Sequence, residues 1–191
     1  MQTTGRFTGG SRRSRPASGF SLIEMITVLA VAAILVGVAL PNFREFARRS
    51  NVTELNNNLI TAINLARAEA VKRGRQVAVV SVSGGSDWST GWNVVVDDNG
   101  NGSFADASDS KLQGRSAVDA NNYKVTAKAT GSGGADGRIV LGIAGTLSLG
   151  TKFDINVCRK GETTKSRHIV VGASGMTSSY ADATGSPAPS C

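Results

Sequence analysis

The distribution of apolar and polar residues divides the chain into three regions. Residues 1–19 are polar and basic, residues 20–40 are almost wholly apolar, and the remainder mixes apolar with polar positions. At a helical rise of about 1.5 Å per residue, the 21 residues of the apolar region span roughly 31 Å, close to the thickness of a bilayer core. This region predicts a membrane-spanning helix, which Pro41 would kink or end.

A second helical pattern covers residues 42–73. Small and aliphatic residues recur there at intervals of three and four, and they are Leu55, Leu59, Ala62, Ile63, Ala66 and Ala70. Such a stripe is typical of an amphipathic helix that packs one face against a sheet. Gly74 predicts the end of this helix.

The pattern after Gly74 becomes that of β-strands separated by Gly-, Asn- and Ser-rich turns. Strands are predicted at residues 76–83, 91–97, 123–129, 138–143, 152–158 and 168–171. A helix followed by strands predicts an α+β fold. We expect a long N-terminal helix, with a transmembrane half and an amphipathic half, packed on an antiparallel β-sheet head.

The net charge of +7 does not alter the predicted fold. Arg6, Arg12, Arg13 and Arg15 precede Gly19 in a stretch that has no acidic residue, and the remainder of the chain carries +3, from 7 − 4. The high isoelectric point therefore arises partly from the first 19 residues, and it says correspondingly less about nucleic-acid binding.

Two kinds of export signal are alternatives for the N-terminal region. An ordinary secretory signal has a shorter apolar region, of about 7–15 residues, and an A-x-A-like cleavage site after it. A twin-arginine signal fits Ser11-Arg12-Arg13, but Arg15-Pro16 stands where an apolar pair is expected. Neither explains Glu24, because a carboxylate in a membrane helix costs about 2.5–3.5 kcal/mol on insertion scales.

The segment from Gly19 through Phe20 to Glu24, followed by an apolar run and Pro41, resembles the class III signal of type IV pilins and type II secretion pseudopilins. The resemblance implies that a prepilin peptidase cuts between Gly19 and Phe20 and that Phe20 is then N-methylated. It also implies that Glu24 pairs with the new N-terminus of a neighbouring subunit during assembly, with Pro41 closing the assembly helix.

The resemblance also implies an organisation in four regions. Residues 1–19 are a leader peptide, 20–41 a transmembrane and assembly helix, 42–73 an amphipathic stem, and 74–191 a β-rich periplasmic head with a C-terminal tail. The arginines of the leader fit the positive-inside rule, which places the helix in the inner membrane and the head in the periplasm.

Residues 64–73 are similar to the "ARSEAVKR" signature of the GspH/FimT branch of this family, and Trp88, Gly91, Trp92 and Asp97 fit the same branch. The branch implies a minor pilin: a structural subunit of a type IV pilus, in its tip or priming complex, whose partners are other pilins. Two alternatives remain, a minor pseudopilin of a type II secretion system and a pilus-displayed DNA-binding subunit for natural transformation.

A loop rich in Asp and Asn is a weak calcium candidate. Asp97, Asn99 and Asn101 have the alternate spacing of an EF-hand loop, with Gly102 at the sixth place. The twelfth place is Ser108, where an EF-hand has a bidentate Glu. Since a hairpin loop explains the same composition, no metal site is predicted.

A basic cluster formed by Arg159, Lys160, Lys165 and Arg167 is the candidate for contacts with DNA phosphates. The alternative is a charged, solvated turn. The family members that bind DNA resemble each other in a Gly-Arg-x-Arg motif, whereas the comparable place here, residues 175–178, has no arginine. This difference weakens the DNA-binding alternative.

Cys158 and Cys191 predict one disulfide if the head lies in the oxidising periplasm, and two free thiols otherwise. The bond would close a loop of 34 residues (191 − 158 + 1), which the chain-entropy estimate values at roughly 3–4 kcal/mol. With one histidine, His168, no P-loop and no Cys/His cluster, the sequence predicts neither an enzyme nor a cofactor.

Overall fold

The computed structural model describes residues 19–131, 134–148 and 151–181. One helix, α1, spans Leu22–Arg73, and eight strands follow it. The strands are β1 Val77–Ser81, β2 Trp92–Val96, β3 Ser110–Arg115, β4 Tyr123–Thr130, β5 Arg138–Leu141, β6 Lys152–Arg159, β7 Glu162–Val171 and β8 Thr177–Ala181. The chain divides into two compact units, residues 1–44 and 45–191. The predicted leader lies outside the described residues except for Gly19.

The described part of the first unit consists of Gly19, Phe20, Ser21 and the first half of α1. An 18-residue window of this helix has a mean hydropathy of 2.6, and none of the window is buried. By length and composition, α1 is able to cross a membrane. The helix continues through Pro41, so this proline does not end it. The helix predicted at residues 42–73 is the second half of α1.

The second half of α1 supplies the predicted apolar stripe. All six of its residues are buried, and Val52 joins them one turn before Leu55. Gly74 adopts a φ of +60° immediately after the helix, a conformation that favours glycine and ends the helix as predicted.

The strands form two antiparallel four-stranded sheets. The order in the first is β3-β2-β1-β5, and the order in the second is β4-β6-β7-β8. The stripe of α1 shares one buried cluster with residues of both sheets, including Val79, Val94, Ile155 and Ile169. The prediction of an α+β fold, with a helix packed on antiparallel sheet, is confirmed, and the head contains two sheets.

Two strands were not predicted from the sequence. Both β3 and β8 lie at a sheet edge, and all of their residues are exposed or only partly buried. A strand that buries so little has no alternation of apolar and polar residues, and this alternation is the signal used to predict strands.

Trp88 and Gly91 hold the connection between β1 and β2. The Trp88 side chain is fully buried, and its Nε1 donates to the carbonyl oxygen of Asp136 at 2.9 Å. Gly91 has a φ of +101°, and a β-carbon at this position would collide with the carbonyl oxygen of Arg115. The Trp and Gly positions noted in the sequence are therefore required by packing.

Candidate functional site

The residues around the predicted cleavage position form the start of α1. Ser21 caps the helix, because its Oγ accepts from the Glu24 N–H at 3.3 Å and its carbonyl oxygen accepts from the Met25 N–H at 3.2 Å. Ser21 and Glu24 have the spacing of a capping box. The fold therefore places Glu24 in the first helical turn, where the helix dipole favours a carboxylate.

Glu24 lies among exposed apolar side chains. Phe20, Leu22 and Ile23 are 76%, 81% and 63% exposed. Within the described residues, Glu24 has no ion-pair partner. Inside a bilayer such an unpaired carboxylate would be costly.

The four residues of the basic cluster do not form one free cationic surface. Arg159 is largely buried, and its Nη1 lies 2.8 Å from Glu45 Oε2 and 3.3 Å from Glu162 Oε1. The hydrogen bond that Arg159 donates to Glu45 raises the pKa of Arg159, opposing the effect of desolvation. Lys160 is exposed in the turn between β6 and β7. Arg159 is thus engaged by carboxylates that a DNA phosphate would have to displace.

The pairing register of β6 and β7 places Arg167 and His168 on opposite faces of the second sheet. Arg167 lies opposite Val157, a core residue, so it is on the face of the second sheet that packs against α1. His168 is buried on the opposite face, with Nδ1 2.7 Å from Asn156 Oδ1 and Nε2 3.2 Å from Asp154 Oδ1. Lys165 belongs to β7.

The Asp/Asn loop between β2 and β3 satisfies its own polar groups. Asp97 is buried, and its carboxylate accepts from the N–H groups of Gly100, Asn101 and Gly102 at 2.7, 3.1 and 2.9 Å. The side-chain amides of Asn99 and Asn101 donate to Asp106 at 3.2 and 2.6 Å. Hydrogen bonds from Asn101 first, and then from Asn99, lower the pKa of Asp106.

These hydrogen bonds explain the residue types of the loop without a cation. In the part of the chain that the structure describes, no group of three or more His, Cys, Asp or Glu residues is placed to hold a metal ion. The interpretation as a hairpin loop fits the strands on either side, because β2 and β3 pair antiparallel.

Cys158 is buried near the end of β6, whereas Cys191 lies outside the described residues. The predicted bond between them therefore stays a prediction.

Two family models match this chain. The model "Type II transport protein GspH" matches residues 56–175, more than half of the chain. The chain belongs to the GspH family. A second model, "Prokaryotic N-terminal methylation motif", matches residues 14–40 of this GspH-family protein and includes Gly19, Phe20 and Glu24.

Curated relatives match mainly over short segments. The GspH-family chain is 30% identical over 59 residues to a fimbrial protein of Pseudomonas aeruginosa, covering 31% of this chain and 38% of that protein. It is 46% identical over 41 residues to the type IV major pilin protein PilA of Myxococcus xanthus, covering 22% of this chain and 19% of that protein. The chain thus spans less than two fifths of the length of these relatives.

A solved structure shares the fold. The crystal structure of the type IV minor pilin FimU of Pseudomonas aeruginosa superposes with a TM-score of 0.55 at 22% identity, covering 70% of this chain and 90% of that one. The apolar helix and the methylation motif together indicate membrane anchoring.

One residue with a structural role in this GspH-family protein was missed from the sequence. Glu45 binds both Arg159 and Arg49, the latter at 3.0 Å, and so ties α1 to the β6–β7 hairpin. Glu45 stands out in the sequence, because it is the only acidic residue in the basic stretch from Arg44 to Arg49. Nothing along the chain indicates that its partner is Arg159, 114 positions away.

Proposed function

We propose that this protein is a minor pilin or pseudopilin, a structural subunit of a type IV pilus or of the related type II secretion fibre. A prepilin peptidase cuts it between Gly19 and Phe20 on the cytoplasmic side of the inner membrane, and Phe20 is then N-methylated. The helix crosses the inner membrane once, and the β-rich head lies in the periplasm. The observation that carries the proposal is Glu24, unpaired in the first turn of an exposed apolar helix.

The first half of α1 suits the membrane before assembly and the packed helices of a fibre afterwards. Its first half exposes aliphatic side chains on every face, for example Leu29, Ile34 and Val38 at 62%, 68% and 64%. A helix that is apolar all round is stable when lipid or other apolar helices surround it. The membrane supplies the first environment, and the packed helices of a fibre supply the second.

Glu24 distinguishes this helix from a simple anchor. A charged side chain costs about 2.5–3.5 kcal/mol at the centre of a membrane helix on insertion scales, and Glu24 at the start of such a helix is expected to have a compensating partner. Cleavage after Gly19 creates an ammonium at Phe20, and the ammonium of a neighbouring subunit offers that partner. Because desolvation offsets most of the attraction between two buried charges, we expect the pair to fix the register of assembly and to add little stability.

The experiment that tests this proposal replaces Glu24 with Ala in cells that assemble the fibre. We expect normal cleavage and membrane insertion, together with loss of the protein from sheared fibres. Glu24→Asp, which keeps the charge, should retain part of the incorporation. Thr27→Ala is the matched control, because Thr27 lies one turn further along the same exposed helix. Normal incorporation of Glu24→Ala would contradict the proposal.

Of the two fibres named in this proposal, the description of the matching family favours the type II secretion fibre. Deleting the gene separates the two systems, because loss of surface pili indicates a pilus subunit and loss of protein secretion indicates a pseudopilin. DNA binding is not part of the proposal, since Arg159 is engaged by Glu45 and Glu162.

A further inference from the structure

The loop between β2 and β3 contains sequences that are chemically labile in flexible peptides. Asn99-Gly100 and Asn101-Gly102 are the two Asn-Gly pairs of the chain, and all four residues are exposed. In such a pair the backbone nitrogen of the glycine can attack the side-chain amide carbon of the asparagine, because glycine has no β-carbon to hinder the approach. By sequence and exposure, both pairs are therefore sites for spontaneous deamidation.

Deamidation begins when the glycine N–H gives up its proton to base in the solvent. The nitrogen then forms a bond to Cγ of the asparagine, and the side-chain nitrogen leaves as ammonia, so that a cyclic succinimide remains. Water opens this ring and gives either aspartate or isoaspartate, in which the backbone runs through the side chain. The reaction therefore requires a glycine N–H that is free to lose its proton.

One carboxylate engages both glycine N–H groups. Gly100 donates its N–H to Asp97 Oδ1 at 2.7 Å, and Gly102 donates its N–H to Asp97 Oδ2 at 2.9 Å. Asp97 is 3% exposed, and hydrogen bonds to a carboxylate are stronger than those between neutral groups. The negative charge also opposes loss of the proton, because the nitrogen anion would lie against the carboxylate. Both attacking nitrogens are thus held in an unreactive form.

The side chains of the two asparagines are also fixed by hydrogen bonds. Asn99 Nδ2 donates to Asp106 Oδ2 and Ser108 Oγ at 3.2 and 2.9 Å, and Asn101 Nδ2 donates to Asp106 Oδ2 at 2.6 Å. Their Oδ1 atoms accept from the N–H groups of Asn101 and Ser103 at 2.9 and 2.7 Å. Because Nδ2 leaves as ammonia, ring closure also removes the donors to Asp106.

We propose that Asp97 protects Asn99 and Asn101 from deamidation by holding the N–H groups of Gly100 and Gly102. The two asparagines are modification sites that the fold keeps unreactive. Deamidation at either one would replace an amide that donates to Asp106 with a carboxylate, so that two like charges would face each other. The protection therefore preserves the loop itself.

The first test compares the full chain, purified in detergent, with a synthetic peptide of residues 95–105. Both are incubated at mildly alkaline pH, which speeds loss of the glycine proton, and peptide mass spectrometry measures conversion of Asn99 and Asn101 to aspartate and isoaspartate. We expect the protein to react roughly tenfold to a hundredfold more slowly, because a charge-assisted hydrogen bond must break first. Equal rates in protein and peptide would overturn the proposal.

The second test assigns the protection to Asp97. Asp97→Asn keeps the size of the side chain but removes its charge and one acceptor oxygen, so deamidation at Asn99, at Asn101 or at both should accelerate about tenfold. Asp109→Asn is the matched control, because Asp109 accepts from the N–H groups of Asp98 and Asp106 at 3.3 Å each. Unchanged rates in Asp97→Asn, or equal acceleration in the two variants, would overturn the proposal.

Hydrogen exchange of the wild-type chain covers the case in which Asp97→Asn does not fold. Gly100 and Gly102 are exposed, so without Asp97 their amides should exchange as fast as those of the peptide. We expect both amides to exchange more slowly than in the peptide, because the hydrogen bonds to Asp97 must open first. Exchange of both at the rate of the peptide would refute the protection. Purified protein suffices for all three measurements, so their outcome is independent of fibre assembly.

Discussion

Replacing Leu59 with Ala should strongly destabilise the head. Leu59 is fully buried in the middle of the stripe of α1, within the cluster that includes Val79 and Val94 of the first sheet and Ile155 of the second. Leu-to-Ala substitutions at such sites cost about 2–5 kcal/mol, since the transfer free energy is lost and a cavity remains. Because both sheets and the helix meet at this cluster, the cavity has little freedom to collapse, and we expect a value of about 3 kcal/mol or more.

Urea unfolding of the full chain in detergent, followed by tryptophan fluorescence, measures this change. Trp88 and Trp92 are both buried in the same cluster, so their emission reports its unfolding. With a slope of about 2 kcal/mol per M urea, a loss of 3 kcal/mol lowers the midpoint by about 1.5 M. Val71→Ala is the control on the same helix, since Val71 is 56% exposed and its truncation should change stability by less than about 0.5 kcal/mol. Equal midpoints for the two variants would refute the packing of α1 against both sheets.

Two further predictions concern the head. Gly91→Ala should destabilise the head for two reasons. Backbone strain at φ +101° costs about 1–3 kcal/mol, and the collision of the new β-carbon with the Arg115 carbonyl oxygen adds to that cost. Gly100 has a φ of +75° but open space around an added β-carbon, so Gly100→Ala should show the cost of the strain alone. If urea unfolding gives the same loss of unfolding free energy for both variants, the collision is contradicted. The predicted disulfide should appear in non-reducing peptide mass spectra as a Cys158–Cys191 cross-linked peptide, and reduction should cost roughly 3–4 kcal/mol. Two alkylatable thiols in protein taken from the periplasm would disprove the bond.

The fold was predictable from the sequence where burial leaves a periodic signal. The stripe from Leu55 to Ala70 and the apolar strands such as β1 and β2 were predicted because their residues repeat with the helical or strand period. β3 and β8 were missed because each is an edge strand with few buried positions. The division of the strands into two sheets was also missed, since pairing depends on contacts distant in sequence.

The candidate sites also differ in whether they depend on local spacing or on contacts distant in sequence. Gly19, Phe20 and Glu24 were predicted from the sequence because their expected roles depend on local spacing at the start of one helix. The basic cluster was misleading, because neighbours in sequence such as Arg167 and His168 lie on opposite faces of a sheet, and Arg159 is bound by Glu45 far along the chain. The turns at Gly145 and Gly175 are the converse case, because nothing in the sequence indicates that they abut each other.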